Sequence, residues 1–219
     1  MFIINCKNYE EIAGEKIISF VKAAQTISKK YNTKIAIAPP QHLIGVVSKT
    51  KIPIFAQHVD VSKIGSTTGF IVPELLKKSG VKGSLINHSE HRISSKEIAH
   101  LVSKLHELKM ISVLCVKDVA EAKKYSKLNP DYIAIEPPEL IGSGKAVSKE
   151  KPDLIVKAVN AVKSSKNKTK LLCGAGIVSG EDVTAAINLG SDGILVASGI
   201  VKAKNWTKII EEFAKAMKK

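Results

Sequence analysis

A few short stretches hold the residues of this chain that could do chemistry. Glu136 closes an apolar run, Tyr132 to Ile135, and is followed at once by Pro137-Pro138 and then by Gly142-Ser143-Gly144-Lys145. A carboxylate in water is a poor base toward a carbon acid, so one used that way must be aimed and stripped of water. A strand end aims it. Two prolines stiffen the chain just beyond it, and the glycines allow a large change of φ and ψ at the far end of the segment. His88, in Asn87-His88-Ser89-Glu90, is of a type that can polarise a carbonyl. Asn5 and Lys7 are two apart, so in an extended chain they share a face and Cys6 points away. Gly174-Ala175-Gly176, with Ser179 starting the next helical pattern, and Ala197-Ser198-Gly199 are small-residue turns opening onto helix starts. Such turns offer bare N–H groups and the positive end of a helix to a phosphate.

Each of these features alone has a plainer reading. A glutamate after a strand is commonly a solvated loop residue, a lone histidine a structural hydrogen-bonder, and "GAG" a tight turn. Lys7 is one lysine among many. Their joint placement carries the functional reading, and that placement depends on the elements between them.

Apolar, β-branched runs recur along the chain with helical patterns between them. They are Phe2–Asn5, Lys34–Ala38, Ile52–Ala56, Gly83–Ile86, Ile111–Cys115, Tyr132–Ile135, Lys170–Cys173 and Gly193–Val196. Near-continuous hydrophobicity marks parallel strands covered on both faces. One-sided apolar spacing at Ile98, Leu101, Val102, Leu105 and Leu108 predicts a helix, as it does near Ile17 and near Trp206. Ser94 with Glu97, and Ser179 with Asp182, have capping-box spacing, and Pro73 and Pro152 suit a first helical turn. Eight strand–helix alternations predict an α/β fold, a single (β/α)₈ barrel domain over residues 1–219 with shortened helices at Gln41–Ser48 and Pro73–Ser79. A doubly wound open sheet is the rival, but the turn after the first strand, "NCKNYEE", lacks its glycine fingerprint. In a barrel, Asn5, Lys7, His88, Glu136, Gly176, Ala197 and Ser198 all fall at C-terminal strand ends, on one rim.

Bulk composition narrows the classes. Net charge is +14, yet Arg92 is the one arginine among 34 basic residues. Readers of nucleic acid favour arginine for its bidentate fork and interleave aromatics, which are 5% here. The scattered lysines read as a solvated surface whose field draws in anions. Three distant cysteines without a CxxC fit a reducing, cytoplasmic setting. No long apolar run suggests a membrane span, and the N-terminus does not resemble a secretory signal. No metal-binding spacing is present: His88 and His91 are three apart, unlike HExxH.

Taken in order, "NCKNY", "NHSEHR", "IEPPELIGSGKAVS", "CGAGI" and "ILVASG" resemble the motifs of the triosephosphate isomerases, in the compact archaeal form. The resemblance implies a barrel that interconverts D-glyceraldehyde 3-phosphate and dihydroxyacetone phosphate without a cofactor. It implies Glu136 as the base, His88 as the electrophile, and Lys7 with Asn5 as substrate contacts. Ile141 and Gly142 would close over the phosphate, and Gly176, Ala197 and Ser198 would offer it N–H groups. Ser89 and Glu90 would stand behind Lys7 and the base. A helix N-terminus in "SEHRISS" would keep His88 neutral. The loop "QHVDVSKIGSTTGFIVPE", with Thr68 at its tip, would reach a neighbouring subunit in a homo-oligomer, a tetramer built of dimers. Glu139, Gly176 and Ala197-Ser198 depart from the commoner tryptophan, serine and glycine pair, which bears on lid contacts and affinity. Two other readings remain: a different phosphate-binding barrel isomerase or synthase, and a basic nucleic-acid-binding protein.

Overall fold

The computed structural model describes residues 1–140, 144, 146–165 and 167–218. Its strands are β1 (Phe2–Asn5), β2 (Ile35–Ala38), β3 (Phe55–Ala56), β4 (Gly83–Ile86), β5 (Ile111–Val116), β6 (Tyr132–Ile135), β7 (Lys170–Cys173) and β8 (Gly193–Val196). All pair in parallel, in the order β2-β1-β8-β7-β6-β5-β4-β3. The ends of that order meet at one bridge, Ile37 to Ile54, which closes the barrel. The third strand is shorter than the expected Ile52–Ala56. Pro53 has no N–H to give to a ladder. Its carbonyl still accepts from the Ile37 N–H at 3.0 Å.

Helices stand between the strands: α1 (Lys16–Tyr31), α2 (Ile44–Val47), α3 (Pro73–Lys78), α4 (Ser95–Glu107), α5 (Val119–Ser126), α6 (Val147–Glu150), α7 (Pro152–Lys163), α8 (Gly180–Asn188), α9 (Ser198–Val201) and α10 (Trp206–Ala216). The second and third are brief, as expected. Both capping boxes form: Ser94 accepts from the Glu97 N–H while Glu97 accepts from Ser94, and Ser179 and Asp182 do the same. Pro73 and Pro152 each take the first turn of their helices, where a missing N–H costs nothing. Asn32 ends α1 in the left-handed conformation, so its short side chain substitutes for a glycine cap.

Strand alternation divides the apolar residues into two layers. Ile3, Ala36, Leu85, Val113, Ala134, Leu172 and Leu195 fill the barrel interior. Their neighbours Phe2, Ile4, Ile37, Ile133 and Ile135 face outward against the helices. Phe2 stacks on Phe213 of α10 at 6.0 Å, and Phe20 of α1 meets the edge of Trp206 at 5.2 Å. All three cysteines are free and buried, and burial pushes Cys173 up to about 12. They behave as small core hydrophobes. Among the described residues no helix is long and apolar enough to cross a membrane.

Candidate active site

In four strands the inner parity, followed to or just past the C-terminal end, delivers a polar or small residue to the barrel mouth. Ile3 leads to Asn5, Ala134 to Glu136, Leu172 to Gly174 and Leu195 to Ala197. These residues, with Lys7, His88, Gly176 and Ser198, line one cleft. Alternation by itself would turn His88 outward with Ile86. Asn87 prevents this: it sits at φ +61, and its side chain donates to the Cys115 carbonyl and accepts from the Ile93 N–H. The reversed backbone hand at Asn87 re-aims its successor into the mouth.

Glu136 and His88 face each other there. Oε1 of Glu136 lies 3.4 Å from Nε2 of His88, and both residues are buried, at 4% and 6% exposure. The other carboxylate oxygen, Oε2, is buried with no hydrogen-bond partner among the described residues. A buried lone pair without a donor is costly. His88 is oriented from behind by the Glu90 N–H, which donates to Nδ1 at 3.2 Å. In the neutral ring that bond leaves the proton on Nε2, the nitrogen facing the cleft. Burial pushes the imidazole down, but the Glu136 carboxylate outweighs it and holds His88 above its ordinary value. The expected helix N-terminus is not the donor. α4 begins at Ser95 and is capped by its own Ser94, so an isolated turn N–H does the work.

Lys7 has φ +45, a strained position for a lysine. Its N–H donates to Asn5 Oδ1 at 3.0 Å, and its carbonyl accepts from Gln57 at 2.9 Å. The ammonium lies 2.6 Å from Glu90 Oε1. Glu90 thus holds Lys7 with its side chain and His88 with its backbone. Ser89 points elsewhere. Its hydroxyl is buried and unpartnered among the described residues, beside a cavity of about 170 Å³ that it shares with Cys115, Glu136 and Pro138.

Across the mouth, Gly176 has φ +69 and Ala197 precedes α9, whose first N–H groups have no intrahelical acceptor. A β-carbon on Gly199 would come within 2.7 Å of the Ile177 carbonyl, so these two turns pack backbone against backbone. That geometry suits an oxyanion. Ile141 and Gly142 lie outside the described residues. Sequence reasoning missed the roles of Asn87 and Gln57, the contact of Gly174 with Glu136, and Tyr9, which lines the cleft with the Lys202 ammonium 4.6 Å from its ring centroid. Gly174 and Gln57 also follow strand ends, a signal that could have found them.

The chain is similar to known proteins over nearly its whole length. The family profile described as Triosephosphate isomerase matches residues 1–213. The chain is 57% identical to the triosephosphate isomerase of Cenarchaeum symbiosum over 217 residues, 99% of this chain and 97% of that one. It is 43% identical to that of Methanothermus fervidus over 218 residues, 99% and 98% of the two chains. Among solved structures, the triosephosphate isomerase of Bartonella henselae superposes with a TM-score of 0.76 at 18% identity, covering 100% of this chain and 98% of that one, a likeness of fold. With a barrel, a matched profile and relatives of this similarity over nearly its whole length, the chain belongs to the triosephosphate isomerase family.

Proposed function

We propose that Glu136 and His88 divide the proton chemistry of the reaction between them. The reaction is the family's own, the interconversion of D-glyceraldehyde 3-phosphate and dihydroxyacetone phosphate, an intramolecular aldose–ketose isomerisation of glycolysis and gluconeogenesis. Glu136 takes a proton from one of the two adjacent carbons and returns it to the other. Between those steps the substrate is an enediol or enediolate. His88 gives its Nε2 proton to the carbonyl oxygen as that oxygen gains charge, and takes the proton of the neighbouring hydroxyl as that oxygen becomes the new carbonyl. Nothing is oxidised or reduced overall, since the pair of electrons stays within the substrate. The ammonium of Lys7 and the amide of Asn5 offset the charge of the anion. The N–H groups at Gly176, Ala197 and Ser198 bind the phosphate, and Ile141 and Gly142 close over it. The carrying observation is the buried Glu136–His88 pair opposite two backbone turns on the same rim.

The test is a coupled assay with glyceraldehyde 3-phosphate, repeated in deuterated water. Turnover with deuterium entering the dihydroxyacetone phosphate formed supports a base that exchanges its proton with solvent. An inert protein contradicts the reading.

We also read residues 1–219 as one domain acting in a homo-oligomer, a tetramer of paired dimers, in the cytoplasm. The loop after β3 supports the assembly: Val61, Ile64 and Phe70 are 45%, 51% and 57% exposed, with Val46 and Leu75 also exposed. Apolar groups gathered in this way favour a covered surface. Three unpaired thiols suit a reducing compartment. Gel filtration at a monomer's volume would contradict the assembly.

A further inference from the structure

Beside the cleft two histidine rings lie face to face. His58, just after β3, stacks on His91, in the turn after β4, with centroids 3.9 Å apart and planes 18° from parallel. Neither ring has a part in the chemistry above. His58 is buried at 7% exposure, and His91 is exposed.

Each ring is tied to a different piece of the rim. His58 Nε2 lies 3.2 Å from Asp60 Oδ1. Asp60 closes the base of the loop 57–72: its other oxygen accepts from the Ile71 N–H at 2.6 Å, and its own N–H donates to the Ile71 carbonyl at 3.0 Å. On the other side, the His91 N–H donates to the His88 carbonyl at 2.8 Å. Glu90, between those two in the chain, orients the His88 ring and pairs with Lys7. The stack therefore joins the loop after β3 to the turn that presents the electrophile.

We propose that His58 is a positioning residue: through the ring of His91 it holds the turn that carries His88 and Glu90, and it releases that turn when the His58 ring takes up a proton. This rests on the isomerase reading of that turn. Two imidazolium rings at this separation would repel strongly, so the stack opposes a proton on His58. The groups around His58 act in both directions. Burial and then His91 hold it below its ordinary value, against Asp60 on its own loop and Glu97 on α4, which favour its charge. His42, Lys7, Glu90 and His88 line the same cavity. Because the folded value is lowered, the native state resists the proton. The stack's contribution is complete above the unfolded value of about 6.5 and is lost as pH falls through the folded one.

The test combines imidazole NMR titration with kcat/KM between about pH 5 and pH 8. Wild type is compared with His58→Phe, which keeps a flat ring and removes the proton, with His91→Phe, and with His58→Ala. In His91→Phe, His58 should titrate at a higher pH than in wild type. His58→Phe should keep the pH 8 rate within about threefold and lose one transition from the acid limb. His58→Ala, with no ring to stack, should lose on the order of tenfold in kcat. Identical His58 titrations in wild type and His91→Phe, or pH profiles that match wild type in every variant, would overturn the proposal. An inert wild type would instead overturn the isomerase reading, while the NMR titration still decides the coupling.

Discussion

A β-carbon placed on Gly174 would stand 2.6 Å from Cγ of Glu136 and 3.3 Å from its Cδ. The end of β7 is therefore the floor on which the Glu136 side chain lies. In the proposed mechanism the turn after β7 has two tasks: Gly176 shapes the anion seat and Gly174 makes room for the base.

That relationship predicts the behaviour of Gly174→Ala. The methyl group must push the carboxylate away or shift β7, because the Ile135 carbonyl is only 3.1 Å from the same point. Displacing a reacting group by about 1 Å costs on the order of a hundredfold. The loss should appear in kcat with KM little changed. Unchanged kcat would show that Glu136 does not rest on Gly174 in the working enzyme.

His88 should respond to its neighbour. Burial lowers its pKa and the Glu136 carboxylate more than restores it, so the folded value is raised. A raised value means that the native state favours the proton. Its stabilising effect is fully present below the unfolded value of about 6.5 and is lost as pH rises through the folded one. For activity the sign is opposite: an imidazolium facing Glu136 ties up the base, so kcat/KM falls as pH drops through that raised value. Glu136→Gln removes the cause, and NMR should then find His88 titrating below wild type. The same titration in both would contradict this electrostatic picture.

Packing between the barrel and its outer helices gives a stability test remote from the site. Phe213 is fully buried and stacks on Phe2, whose strand carries Asn5 at its end. Phe213→Ala should cost about 3–5 kcal/mol by urea denaturation. A cost well under about 1 kcal/mol would mean that α10 does not clamp β1.

The barrel was legible because hydrophobic runs of parallel strands are distinctive, and because Ser94–Glu97 and Ser179–Asp182 spell helix starts locally. The rim residues were legible because strand parity fixes which side chain reaches the mouth. Legibility failed where one residue overrides its neighbours. Pro53 shortened β3 by withholding a donor. Asn87 reversed the backbone hand and re-aimed His88, and no pattern in the sequence announces a left-handed asparagine. A helix dipole was expected to keep His88 neutral; instead the Glu136 carboxylate holds its pKa up, and the donor behind it is a turn N–H. The His58–His91 stack joins residues after two different strands, and only the closed barrel brings them together.

The central claim is that the carboxylate of Glu136 moves the proton. Glu136→Gln keeps the shape of the side chain and removes the base, so kcat/KM for glyceraldehyde 3-phosphate measured beside wild type tests it most directly. The account predicts a fall of about a hundredfold to ten-thousandfold with the fold intact by circular dichroism. A folded Glu136→Gln protein that isomerises at close to the wild-type rate would contradict it.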